Sequence, residues 1–256
     1  MADSSEVGDA GTADVDGREV RVYADLDELS RAARGEFLER AQHALSGGGR
    51  MTVSLSGGST PERLYRALVD LDVDWERVHF FFGDERHVPP EHEGSNYRMV
   101  REALFDRIDV PPENVHRILA EHEPEEAARL YEAELAAFFA LKSKRFPSFD
   151  LALMGTGADG HTASLFPGSV ALEERDRLVI APFVEELGVH RITLTRPVFE
   201  EAACLLFLVA GADKRPALAR ILAAPPGASD LPAGRIRPRD GELVWMVDRA
   251  AAGALA

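Results

Sequence analysis

Apolar positions along the chain follow two different periods. Leu26, Leu29, Ala33, Phe37, Ala41 and Leu45 recur at helical spacing, and residues 52–55 after them read as a strand. Residues 78–82, 149–154, 178–181, 192–195, 205–209 and 243–247 read as further strands, several of them apolar on both faces. Such strands suit a parallel sheet that is covered on both sides. Helical patterns at 96–105, 125–141 and 213–223 fill most of the gaps, so the pattern predicts an α/β protein. The strand at 78–82 is so apolar that a central place in the sheet is expected for it. Residues 225–232, with Gly227 inside and Gly234 close behind, read as a surface connector before the last strand. Residues 1–18 hold almost nothing that can pack and are expected to form a disordered acidic extension, which leaves 19–256 as one domain.

Composition narrows the function classes. The 256 residues are 45% hydrophobic and 29% charged, which is enough for a core that needs neither disulfides nor metals. Lys and Arg total 29 against 44 Asp and Glu, a formal net charge of -15. That field repels phosphate polymers and anionic surfaces, so neither a nucleic acid nor a membrane partner is expected. A small anionic ligand would need a local cluster of donors that overrides the global sign. The single cysteine, Cys204, lies in the apolar run 202–212 and reads as a plain buried thiol of a reducing compartment. That run is far too short to span a membrane, and the first residues lack a basic-then-apolar signal pattern, so a cytoplasmic protein is expected.

Three stretches carry chemistry, and each begins where an apolar strand ends. In Ser56-Gly57-Gly58-Ser59-Thr60-Pro61-Glu62, a strand passes through a glycine turn into a helix marked by Leu64, Tyr65, Leu68 and Val69. Either Thr60 caps that helix with Pro61 in its first turn, or Ser59 caps it with Glu62 three positions on. Both leave free amides at the helix start, which with the hydroxyls make a cradle for one phosphate. No Gly-Lys-Ser or Gly-Lys-Thr follows, so this is not a nucleotide P-loop. The second stretch, Phe81-Phe82-Gly83-Asp84-Glu85-Arg86-His87-Val88-Pro89, puts three charges at a strand end, where open α/β sheets bind ligands. A solvated charge run is the plain alternative. Nearby, Ser95-Asn96-Tyr97-Arg98 looks like a helix start whose Ser or Asn serves as cap and whose Arg is a surface charge.

The third stretch runs from Gly155 to Pro167 and contains Asp159 and His161 in a glycine-rich turn. Its glycines match GxGxxG, but Pro167 and Gly168 interrupt the long helix that a dinucleotide fingerprint requires. What it offers is an imidazole held near a ligand, and histidine is the side chain most easily tuned as a base near neutral pH. No GxSxG elbow occurs, which disfavours a serine hydrolase. His87, His92 and His122 are scattered and no HExxH occurs, so no metal site is expected.

Together the three stretches resemble the 6-phosphogluconolactonase family, within the larger group that includes glucosamine-6-phosphate deaminase. The resemblance runs from about Val20 to Ala251 and is carried by SGGSTP at 56–61, GDERHVP at 83–89, SNYR at 95–98 and GTGADGHTASLFPG at 155–168. RITLT at 191–195 and FLVAGADK at 207–214 extend it. It implies a three-layer α/β/α fold with a Rossmann-like, mostly parallel sheet, a phosphosugar lactone as substrate, and no cofactor. Deaminases of the group carry Asn-Glu-Pro after the Asp-Gly-His triplet, whereas Ser164-Leu165-Phe166-Pro167 stands here. One departure is Thr195-Arg196-Pro197-Val198-Phe199-Glu200-Glu201, where similar lactonases usually show an Asn before Ala-Ala.

On this resemblance, Ser56, Gly57, Gly58, Ser59 and Thr60 are expected to hold the phosphate, with Lys214 and Arg191 supplying positive charge. His161 is the expected general base, oriented by Asp159. Arg86 is expected to face the lactone carbonyl or the sugar hydroxyls, with Asp84 and Glu85 fixing Arg86 or binding hydroxyls. The alternatives are an amino-sugar phosphate deaminase, which would release ammonia, and a non-catalytic phosphosugar sensor, which would lack His161 or Arg86; both residues are present. The oligomeric state is not legible, and a monomer is the working expectation.

Overall fold

The computed structural model describes residues 11–15, 18–142, 145–185, 187–225 and 227–253. Its strands, in chain order, are β1 (Gly11–Asp14), β2 (Glu19–Tyr23), β3 (Met51–Leu55), β4 (Val78–Phe82), β5 (Asp84–Arg86) and β6 (Val115–His116). β7 (Leu151–Met154), β8 (Val179–Ile180), β9 (Phe183–Val184), β10 (Val189–Leu194), β11 (Cys204–Val209) and β12 (Glu242–Asp248) follow. The helices are α1 (Leu26–Leu45), α2 (Ser59–Leu68), α3 (Asn96–Ala103), α4 (Pro124–Phe138), α5 (Arg196–Glu200), α6 (Arg215–Ala223), α7 (Pro232–Arg235) and α8 (Arg249–Ala252). No helix among the described residues is long and apolar enough to cross a membrane.

Eight strands form one sheet in the order β1-β2-β12-β11-β7-β3-β4-β6, parallel throughout except for the β1–β2 pair. β3, β7 and β11 are buried along their whole length, β7 and β11 as strands apolar on both faces must be, β3 with the polar Thr52 and Ser54 on one face. β4 is not central as expected. It lies second from the edge, with only the two residues of β6 beyond it. Its apolar side chains are covered by rings rather than by strands: Phe81 stacks on His116 with centroids 4.2 Å apart and also meets Phe138, Phe139 and Phe149.

Two of the expected strands fall outside the main sheet. β8 and β10 join β5 and β9 in a small antiparallel sheet that packs on α4. The expected disordered extension also needs correcting where it is described. Gly11–Asp14 pair antiparallel with β2, and Arg18 is only 2% exposed. Its guanidinium donates to the carbonyls of Ile221, Leu222 and Ala224, where the C-terminal end of α6 attracts a cation. Residues 1–10, 16 and 17 of that extension lie outside the described residues.

The connectivity dictates where a ligand can go. From β3 the chain moves outward to β4 and β6, and β7 then returns to the other side of β3, from which β11 and β12 continue the opposite way. The winding direction therefore reverses between β3 and β7, and the loops leaving such a pair diverge and open a crevice at the strands' C-terminal ends. Ser56 follows β3, Gly83 follows β4, Gly155 follows β7 and Ala210 follows β11, so the three chemical stretches converge there.

Candidate active site

A cleft of about 230 Å³ opens at that reversal, lined by residues 56–61 together with Asp84, Arg86, Asn96, His161, Lys214 and their neighbours. Its floor is the start of α2. Gly58 takes the cap position at φ 101°, a backbone conformation that favours glycine, so neither Ser59 nor Thr60 is the cap and both lie inside the first turn. Glu62 N donates to Gly58 O, while the amides of Ser59 and Thr60 have no intrahelical acceptor and point out of the helix start. Gly57 must lack a side chain, because a Cβ there would overlap Asn96 Oδ1. The turn is held from behind by Tyr65, whose buried hydroxyl accepts from Ser56 N at 3.0 Å and donates to Ser56 O at 2.7 Å. Tyr131 of α4 does the same for Phe82 at the end of β4.

The run Asp84-Glu85-Arg86 is a strand, so its side chains alternate. β5 pairs with β10 so that Asp84 opposes Thr193 and Arg86 opposes Arg191. Residues two apart on a strand share a face, as do cross-strand partners; Asp84, Arg86, Arg191 and Thr193 are therefore on one face and Glu85 and Ile192 on the other. Asp84 is 7% exposed and lines the cleft. Ser164 Oγ donates to its Oδ2 at 2.6 Å, and Asn96 Nδ2 donates to its carbonyl at 2.9 Å and its Oδ1 at 3.3 Å. Arg86 also lines the cleft and donates to Gly94 O at 2.6 Å.

Glu85 does not line the cleft. Buried, it accepts from the amides of Arg86, Asn96 and Tyr97 and from Ser95 Oγ, which anchors the start of α3. Burial pushes its carboxyl pKa up against the pull of these donors. The expected sugar-binding role does not suit that position; what it holds of Arg86 is the backbone amide. Arg191 is likewise outside the lining, and its Nε is buried without a hydrogen-bond partner among the described residues.

The loop after β7 carries the imidazole. His161 Nδ1 lies 2.6 Å from Asp159 Oδ1, which also accepts from His161 N at 3.2 Å. A carboxylate can only accept, so Nδ1 carries the proton and Nε2 of the neutral ring keeps its lone pair. Phe166 stacks on the ring with centroids 4.4 Å apart. The pair sits directly over Gly157, where any Cβ would overlap His161 Nδ1. The dinucleotide reading fails as expected, since residues 155–168 pass through turns and no long helix follows. The stretch 225–232 is more than a surface connector: Leu231 is 4% exposed and packs on Gly160, and Ala233 N donates to Gly160 O, bracing the His161 turn.

Lys214 stands in the turn between β11 and α6, with Nζ 2.9 Å from Asp213 Oδ2. The fold thus brings Ser56, Gly57, Gly58, Ser59, Thr60, Asp84, Arg86, His161 and Lys214 to one cleft, with Asp159 behind His161. Arg98 is the surface charge expected of it, bonded to Glu102 and to Glu91 O. Sequence reasoning missed Asn96, read only as a cap residue, and Ser164; in fact Ser95 caps α3 and Asn96 is free to reach Asp84. A polar residue left over beside a satisfied cap was the available signal.

Residues 24–245 match the family model described as glucosamine-6-phosphate isomerases/6-phosphogluconolactonase. The 6-phosphogluconolactonase of Nostoc sp. is 44% identical over 238 residues, which are 92% of this chain and 97% of that protein. That of Rattus norvegicus is 36% identical over 244 residues, 92% and 93% of the two chains. The solved structure of 6-phosphogluconolactonase from Trypanosoma brucei superposes with a TM-score of 0.82 at 33% identity, covering 93% of this chain and 98% of that one.

Proposed function

The chain belongs to the glucosamine-6-phosphate isomerase/6-phosphogluconolactonase family, and from that membership we infer that it hydrolyses 6-phospho-D-glucono-1,5-lactone to 6-phospho-D-gluconate in the oxidative branch of the pentose phosphate pathway. The roles within the cleft rest on one observation: His161, backed by Asp159, lines the same cleft as the free amides at the start of α2. The amides and hydroxyls of residues 56–60 take the 6-phosphate, with Lys214 adding charge. A δ-lactone is an activated ester, so orientation, one activated water and stabilisation of the oxyanion suffice.

Nε2 of neutral His161 takes a proton as the water oxygen bonds to C1, and Arg86 faces the negative charge that develops on the carbonyl oxygen. The C1–O5 bond then breaks, and the imidazolium returns its proton to O5, which becomes a hydroxyl. Asp159 keeps the ring in the productive tautomer and stabilises its charged form. Asp84, with both carboxylate oxygens and its carbonyl tied down, is a rigid acceptor for sugar hydroxyls. A cytoplasmic location goes with this reading, in keeping with Cys204, whose burial pushes the thiol up to about 12. A monomer is the state in which we expect it to act.

A coupled assay that follows 6-phosphogluconate formation, corrected for spontaneous hydrolysis, tests the reading. Acceleration of lactone opening is expected. Ammonia release from glucosamine 6-phosphate without lactone turnover would assign the cleft to the deaminase branch instead.

A further inference from the structure

Two arginines stand side by side in a chain whose net charge is -15. Arg86 and Arg191 are directly opposed in the ladder of β5 and β10, on the face that carries Asp84 into the cleft, and like charges so placed repel. The Arg86 side chain donates to a neutral carbonyl, that of Gly94. Arg191 Nε is buried without a partner, and neither guanidinium makes a salt bridge among the described residues. Asp84 is engaged by Ser164 and Asn96, and Glu85 points to the opposite face. Burial and then the charge of Arg86 push the Arg191 pKa down, against the opposite pull of Asp84 and Glu85. A bound anion would relieve this repulsion, and paired guanidiniums match a planar carboxylate.

We propose that Arg86, which lines the cleft, and Arg191, opposite it at the cleft's margin, together form a second anion site, which holds the C1 carboxylate of the product and, before it, the oxyanion on the same carbon. The proposal rests on the lactone reading above and moves Arg191 from the phosphate end to the carboxyl end of the ligand. The helix start and Lys214 keep the phosphate, so the two anionic groups of 6-phosphogluconate occupy separate cationic positions. Discrimination between the acid and a neutral end group then resides in Arg191.

Calorimetric titration of the wild-type protein with 6-phosphogluconate and with glucitol 6-phosphate, which carries the same phosphate and hydroxyls but an alcohol at C1, tests this. The wild type is expected to bind the acid about tenfold more tightly or better. Arg191→Met should lose about tenfold for the acid and stay within about twofold for the alcohol, with Arg191→Lys between. Equal wild-type affinities, or equal losses for both ligands in the variant, overturn the proposal; the latter returns Arg191 to the phosphate. The wild-type comparison stands even if the Met variant fails to fold. Lactone turnover measured alongside separates the failures: turnover with equal affinities sinks the carboxylate site alone, and unequal affinities without turnover sink the lactonase reading alone.

Discussion

His161 depends on two neighbours for its competence as a base. Asp159 sets the tautomer and Phe166 limits how the ring can tilt, so Nε2 is presented to the cleft with its lone pair free. His161→Ala is expected to lower kcat by about a hundredfold or more while the far-UV circular dichroism stays native; unchanged turnover would remove His161 from the chemistry. Lys214 acts at the other end of the ligand, where its present partner is the exposed Asp213, a contact a phosphate can outcompete. Lys214→Ala should raise KM for the phosphorylated lactone by about tenfold. Gluconolactone without phosphate should be almost unaffected, and equal losses on both substrates would make Lys214 a structural residue. At this scale the residue types were legible from the sequence, because an Asp two positions before a His in a glycine turn has few other uses.

At the scale of elements, local period decides which residues meet. Read as a charge run, Asp84, Glu85 and Arg86 look equivalent; as a strand they separate, and Glu85 goes to the α3 side. That split was not legible, since three polar residues carry no apolar alternation to announce a strand. The tyrosine clasps are a second device of this scale. Tyr65 holds both polar backbone groups of Ser56, so Tyr65→Phe leaves a buried N–H and C=O unsatisfied, at about 1–3 kcal/mol each. Denaturant unfolding should register that loss, and KM should rise more than kcat falls because the phosphate turn loosens.

The sheet edge supplies a pH effect. His116 Nδ1 donates to Glu134 of α4, so its Nε2 accepts from His79 Nδ1 at 3.2 Å. Burial, then His116 and Arg50, push His79 down to about 4 from 6.5. The unfolded chain therefore binds a proton that the folded one refuses between those values, and the stability due to neutral His79 is present above about pH 6.5 and lost as pH falls toward 4. His79→Asn keeps a donor but does not titrate. The wild-type advantage over it, from melts at several pH values, should be flat above about 6.5 and shrink below it.

For the whole molecule, sheet order and net charge matter most. The reversal of winding between β3 and β7 brings together loops about a hundred residues apart in sequence, and the cations gathered there oppose a field set by a charge of -15. That field is long-ranged and is screened first. Raising ionic strength from about 0.01 to 0.15 M shortens the Debye length from about 30 to 8 Å, so kcat/KM for the phosphorylated lactone should rise, on the order of twofold. Gluconolactone should show no such rise. A fall for the phosphorylated substrate would mean that the local cations, rather than the global field, govern approach.

The sequence alone determined the α/β class, the three strand-end loops and the residue types in them, because periodicity, glycine turns and helix starts are local properties written in consecutive residues. It misjudged Gly11–Asp14 and β4, whose order and place depend on partners elsewhere in the chain: β2 for the first, and the ring cluster of His116, Phe138, Phe139 and Phe149 for the second. Only the tertiary structure decided that Asn96 and Ser164 converge on Asp84, that Glu85 turns away, and that Arg191 stands against Arg86. Each of these follows from strand register or from packing between distant segments, and no spacing along a single stretch of chain encodes either.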